Sequence, residues 1–223
     1  MLKSDIWERR GDGTMSKNLF AFMVAVWTAV GIAASAVSAY ISQSWELNLW
    51  FILGILVVAI VGVLIATASE NPLVSLLGYI LVAVPFGLML GPIVALYTEA
   101  SIIRVFFVTA GLVGVLGIIG AVIPDSLEGW GSWLLGGLTM LIIGYFIVPI
   151  AGLFGLPIDR ALTWLDWIGV VLFSGYVIYD WNRAMRVSYT MDNAVDCALA
   201  VYLDFINIFI RLLSLMGTKK SDD

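Results

Sequence analysis

The residues able to do chemistry crowd into the last third of the sequence. Asp180, Asp204, Asn207 and Arg211 sit in stretches otherwise made largely of Leu, Ile, Val, Phe, Tyr and Ala. An ionisable group at membrane depth costs about 2.5–3.5 kcal/mol on insertion scales, so each needs a partner or a task. On a helix seven residues advance about 700°, which leaves Arg211 only about 20° from Asp204, with Asn207 beside the same line. These three form one polar stripe. Lipid would penalise it, so the stripe is expected to face the interior of the fold. Asp180 ends the preceding apolar stretch, Ser174-Gly175-Tyr176-Val177-Ile178-Tyr179-Asp180, and the short connection that follows allows the two stretches to be antiparallel neighbours.

If those helices pack side by side, Asp180 and Asp204 approach each other. Two close carboxylates in a low dielectric cannot both stay ionised without a cation. The pair then shares one proton or grips a hard cation such as Ca²⁺, which prefers oxygen ligands. The two occupants would compete, and the pair would titrate as a unit. The alternative keeps Asp180 at the interface as a helix-end residue and pairs Asp204 with Arg211. Histidine is absent, so any response to pH near neutrality falls to carboxylates. Asp166 and Asp196 lie near the starts of their spans, where a carboxylate suits a helix N-terminus. Arg104, Glu70 and Glu99 flank span ends, and Arg183 and Arg186 read as anchors for anionic headgroups. Cys197 is the single cysteine, which excludes an intrachain disulfide and leaves a small apolar packing residue.

The elements that must position these groups follow from composition. Of 223 residues 61% are hydrophobic and 12% charged, about half the charge of a soluble domain. Such a chain cannot cover a water-facing surface, whereas lipid requires no cover. A net charge of −5, with all four lysines (Lys3, Lys17, Lys219, Lys220) at the two ends, excludes a nucleic-acid face. Stretches of the roughly 20 apolar residues that a crossing needs occur at Leu19–Ile41, Leu49–Ala68, Leu73–Tyr97, Ile102–Ile123, Trp130–Ala151, Leu162–Asp180 and Val195–Met216.

The expected fold is an all-α membrane protein of seven transmembrane helices. It comprises a tail at 1–18, a single bundle over 19–216 and a short tail at 217–223. Trp45, Trp50, Trp130, Trp133, Trp164, Trp167 and Trp181 fall near span ends, at headgroup level. Pro85 and Pro92 interrupt the third span as packing geometry or as a gating kink. Gly111, Gly114, Gly117 and Gly120 make a small-residue stripe for close helix approach. Lys3, Arg9, Arg10 and Lys17 put the N-terminus on the cytoplasmic side by the positive-inside rule, although an odd number of spans then places Lys219 and Lys220 outside. The first apolar run reads as an uncleaved anchor.

At the same residues the sequence is similar to a known family. The segment Ala198-Leu199-Ala200-Val201-Tyr202-Leu203-Asp204-Phe205-Ile206-Asn207-Ile208-Phe209-Ile210 closely resembles the last helix of the Bax inhibitor-1 family. Tyr176-Val177-Ile178-Tyr179-Asp180 resembles its sixth helix, and Gly87-Leu88-Met89-Leu90-Gly91-Pro92-Ile93-Val94 its third. The resemblance implies seven helices with the last one central, in a multi-pass cell or inner membrane protein that lets calcium leak across the bilayer. It further implies an aspartate pair, Asp180 and Asp204 here, that senses pH and lines the ion path. Family members also regulate a membrane-anchored quality-control protease or suppress cell death. Two departures stand out: no basic residue closes the second helix at Thr67-Ala68-Ser69-Glu70, and Val58 occupies a position expected to be acidic.

The leading expectation is a pH-sensitive, calcium-permeable leak without an organic cofactor, its partners being the bilayer and calcium ions. A non-conducting regulator of a protease or death pathway is the other reading. An intramembrane aspartyl protease would need Gly-x-Gly-Asp where Val201-Tyr202-Leu203 precedes Asp204, and a later Pro-Ala-Leu that is missing, so no enzymatic activity is expected. A retinal protein would need a lysine in the last span, which has none.

Overall fold

The structure, a computed structural model, describes residues 15–220. Most of the tail at 1–18, with Lys3, Arg9 and Arg10, lies outside the described residues, as do residues 221–223. Seven α-helices follow in order: α1 Lys17–Ile41, α2 Leu49–Ala68, α3 Pro72–Val94, α4 Glu99–Val122, α5 Trp130–Leu153, α6 Asp159–Ala184 and α7 Met191–Met216. Each is long and apolar enough to cross a membrane, with mean hydropathy from 1.6 in α6 to 3.0 in α2. The chain is a multi-pass integral membrane protein. α7 is the most enclosed: 61% of its most apolar window is buried, against 11–39% in the other six.

Local chemistry sets the helix ends. Ser16 and Asn48 accept from the backbone N–H of Leu19 and Phe51 and so cap α1 and α2, satisfying donors that the first turn leaves free. Asn71 caps α3, and Pro72 follows at its first position, where a missing N–H costs nothing. Pro85 and Pro92 lie inside α3, which stays helical through both.

α6 and α7 differ from the apolar stretches that predict them. α6 runs on to Ala184 and α7 begins at Met191, because a helix continues through charged residues where an apolar count stops. Asp180 is therefore one turn inside α6, and Asp204 is at the middle of α7.

The fold comprises two compact units. The first gathers α1–α3, up to Tyr97, with Ala184–Tyr202. There α2 meets α3 with almost no side chain between: a Cβ at Gly78 would lie 2.5 Å from the Ala66 nitrogen and 2.6 Å from the Gly62 oxygen. Tyr202 of α7 meets Ser35 of α1 at 2.7 Å, and Ser35 donates to the Ala83 carbonyl of α3 at 2.8 Å. The second unit gathers α4–α6, Thr98–Arg183, with the chain from Leu203 onward. α4 meets α6 through part of the predicted glycine stripe. A Cβ at Gly117 would strike the Trp181 indole and one at Gly120 the Ile178 backbone, whereas Gly111 and Gly114 have nothing within 4 Å. Trp181 packs on α4 at Gly117, while Trp50 and Trp133 are exposed.

Candidate functional site: a carboxyl pair and a phenol-bridged cation

Within the second unit the side chains of Asp180 and Asp204 lie against each other, close enough for one proton to be shared between them. Asp204 is buried, and its Oδ2 has no hydrogen-bond partner. Tyr176, one turn before Asp180, lies close enough to feel the charge of both carboxyls. Arg183, three residues on, is near enough for its charge to act on Asp180. A carboxylate has no hydrogen to donate. A bond between two carboxyl groups therefore contains one proton, and without it the pair must separate or take a cation.

Asn182, two residues after Asp180, ties this end of α6 to α4. It is buried, and its Nδ2 lies within bonding distance of the carbonyls of Gly120, Ile123 and Asp125 at 3.3, 3.1 and 3.1 Å. Its Oδ1 accepts from the Leu127 N–H at 3.1 Å. One amide, with two hydrogens, thus serves a carbonyl in the last turn of α4 and those of the chain just beyond it. Sequence reading passed over Asn182, which falls two residues beyond the predicted end of the sixth span.

The polar stripe on α7 is real but divided. Asp204 turns to Asp180. Arg211 donates from Nη1 to the carbonyl and Oδ1 of Asn207 at 2.8 and 2.9 Å, and Asn207 donates to the Leu203 carbonyl at 2.8 Å. The Arg211 guanidinium lies 4.8 Å from the ring centre of Phe173 and 5.5 Å from that of Tyr145, at distances where a cation is attracted to an aromatic face. It also lies beside the Tyr145 hydroxyl, which donates to Asp166 Oδ1. Ser214 donates to Asp166 Oδ2 at 2.6 Å. Arg211 is thus joined to Asp166 through a phenol, and the alternative pairing of Arg211 with Asp204 is not the one formed. Gly169 makes room for it, since a Cβ there would strike the guanidinium. Asp166, expected to serve a helix N-terminus, is instead the counter-charge of Arg211. Its partners come from α5 and α7, and no local pattern could reveal them.

Among the described residues no three His, Cys, Asp or Glu side chains gather in a metal-binding cluster.

Comparison with known proteins agrees with this architecture. Residues 18–221 match the family described as inhibitor of apoptosis-promoting Bax1. The inner membrane protein YbhL of Escherichia coli (strain K12) is 29% identical over 214 residues, covering 87% of this chain and 89% of that protein. An uncharacterized protein of Caulobacter vibrioides is 32% identical over 236 residues, covering 93% and 92% of the two chains. Bax inhibitor 1 of Schizosaccharomyces pombe is 28% identical over 142 residues, covering 61% of this chain and 50% of the yeast protein. The chain belongs to the Bax inhibitor family of membrane proteins.

Proposed function

We propose that this protein is a pH-sensitive, calcium-permeable leak in which Asp180 and Asp204 form the proton- and cation-responsive station. The observation that carries the reading is the close approach of the two carboxyl groups between α6 and α7, with Asp204 buried at the middle of its helix. With the proton in place the two helices are bridged and the pair carries a single negative charge, which holds a divalent cation only weakly. With the proton removed, two like charges in a low dielectric repel each other and attract a divalent ion. Protons and Ca²⁺ thus act on one pair of side chains, and calcium passes as cargo.

Asn207 and Arg211 act beside this pair. Arg211, balanced by Asp166, lies two turns along α7 from Asp204. The test is calcium entry into liposomes, comparing the wild type with Asp204→Asn and Asp180→Asn across a pH series. The expected result is a pH-dependent flux whose dependence disappears in both variants. A flux that keeps its pH profile without Asp204 rules out the station. A folded wild type that carries no flux favours the non-conducting regulator of a protease or death pathway.

A further inference from the structure

A second carboxylate of α7 is buried where the leak reading assigns nothing. Asp192 stands in the first turn of α7, within the first unit, and is 5% exposed. Its Oδ1 lies 2.6 Å from the Ser75 hydroxyl of α3, and its Oδ2 is buried without a hydrogen-bond partner. Ser75 is fully buried and also lies 3.1 Å from the Ala66 carbonyl of α2. That carbonyl is in the last turn of α2, where Ser69 N–H takes the preceding carbonyl, that of Ile65. The near-contact of Gly78 with Ala66 brings the start of α3 close enough for Ser75 to reach both oxygens.

The count of hydrogens is what makes this cluster unusual. A hydroxyl has one hydrogen, a backbone carbonyl has none, and an ionised carboxylate has none. Three oxygens therefore converge with a single hydrogen among them, and a fourth, Oδ2, has no partner at all. A carboxylate out of water without a counter-charge is expensive. The carbonyl end of α2 adds negative potential. The near neighbours on α7 and its cap do not supply the missing charge. Asn193 N–H donates to Thr190 Oγ1, and Asn193 Nδ2 donates to the Ser188 carbonyl. Asp196, one turn on and about 40° round the helix, adds a further acidic group.

We propose that Asp192, Ser75 and the Ala66 carbonyl form a binding site for a small monovalent cation of the sodium type. One carboxylate, one hydroxyl and one helix-end carbonyl are hard oxygen ligands, and helix C-termini serve sodium in this way in membrane transporters. A divalent ion would call for six to eight oxygens and more carboxylate charge, and no three-carboxylate group exists among the described residues. The cation joins the end of α2, the start of α3 and the first turn of α7, fastening three helices where this sequence has no basic residue at the end of α2. The site is independent of whether Asp180 and Asp204 conduct calcium.

The experiment measures thermal unfolding of the purified full chain in nanodiscs, with NaCl replacing N-methyl-D-glucamine chloride at constant ionic strength. A ligand that binds only the folded state raises the melting temperature in a saturable way. The expected result is a sodium-dependent rise of several degrees in the wild type and in Asp204→Asn, with none in Asp192→Asn. Ser75→Ala keeps the carboxylate and loses one ligand, and should need about tenfold more sodium for the same rise; it decides the matter if Asp192→Asn does not fold. No sodium effect in the wild type, an equal effect of choline, or an unchanged sodium response in either Asp192→Asn or Ser75→Ala overturns the site.

Discussion

The α4–α6 contact offers a paired perturbation on one helix. Gly111 and Gly120 belong to the same small-residue stripe, yet only Gly120 touches another helix. In Gly120→Ala the new Cβ would overlap the Ile178 carbonyl oxygen and lie 3.0 Å from the carbonyl carbon and Cα of Ile178. Carbon atoms rest about 3.5–4.0 Å apart, so α4 and α6 must move apart by roughly 0.5–1 Å. The neighbour is backbone, which cannot swing aside as a side chain does. Overpacking of this kind costs about 1–3 kcal/mol.

Separation also stretches the Asn182 bond to Gly120, so the loss belongs in the upper half of that range. Gly111→Ala meets nothing, and replacing a helix-interior glycine is worth up to about 1 kcal/mol in the opposite sense. The two variants should therefore differ by about 2–4 kcal/mol in unfolding free energy, taken from reversible unfolding in mixed micelles. Equal stabilities would refute the argument that α4 and α6 meet at Gly120. Since Ile178 is two residues from Asp180, Gly120→Ala should also weaken any calcium flux that depends on Asp204, while Gly111→Ala leaves it unchanged.

Further outcomes follow from the polar contacts. Asn182→Leu strips the partners from buried carbonyls at the end of α4 and should cost about 1–3 kcal/mol in the same unfolding measurement, with Asn182→Gln recovering only part because its reach differs. Arg211→Met leaves Asp166 without its counter-charge, a loss of about 3–5 kcal/mol for a buried pair. The double variant Arg211→Met/Asp166→Leu should be less damaged than Arg211→Met alone, and additive losses in that cycle would show that the two charges do not interact. Tyr145→Phe removes the hydroxyl between them and should cost about 1.5–3 kcal/mol, the value of a hydrogen bond to a charged group. In liposomes Asp204→Asn and Asp180→Asn should each abolish the pH dependence of calcium flux, with residual flux independent of pH.

The seven crossings were legible because lipid selects long apolar stretches with little regard for detail, and Leu49–Ala68 is found at the predicted bounds. Boundaries failed where charged residues continue a helix beyond its apolar stretch. Asp159 and Asp192 open α6 and α7, and a count of apolar residues could not see past them. The approach of Asp180 to Asp204 was a hypothesis from two short-linked helices, because sequence alone does not fix the depth of either acid. The fate of Arg211 was not readable. Periodicity put it on the line of Asp204, but the partner that holds it is Asp166, reached through Tyr145, and a phenol on a third helix has no signature in spacing. The glycine stripe shows the same limit: four equivalent-looking residues divide into two at a contact and two facing open space.

The phenol bridge between Arg211 and Asp166 also constrains how the polypeptide enters the bilayer. α6 and α7 have the lowest mean hydropathy of the seven, 1.6 and 1.8. Each carries a charge that finds its opposite only on the other. Released singly from the translocon, α7 would bring both Asp204 and Arg211 into hydrocarbon at about 2.5–3.5 kcal/mol apiece. Biogenesis should therefore deliver the two as a hairpin, with α5 already waiting to offer its tyrosine. Ribosome-bound intermediates that stop short of α7 should leave α6 loosely seated and open to extraction.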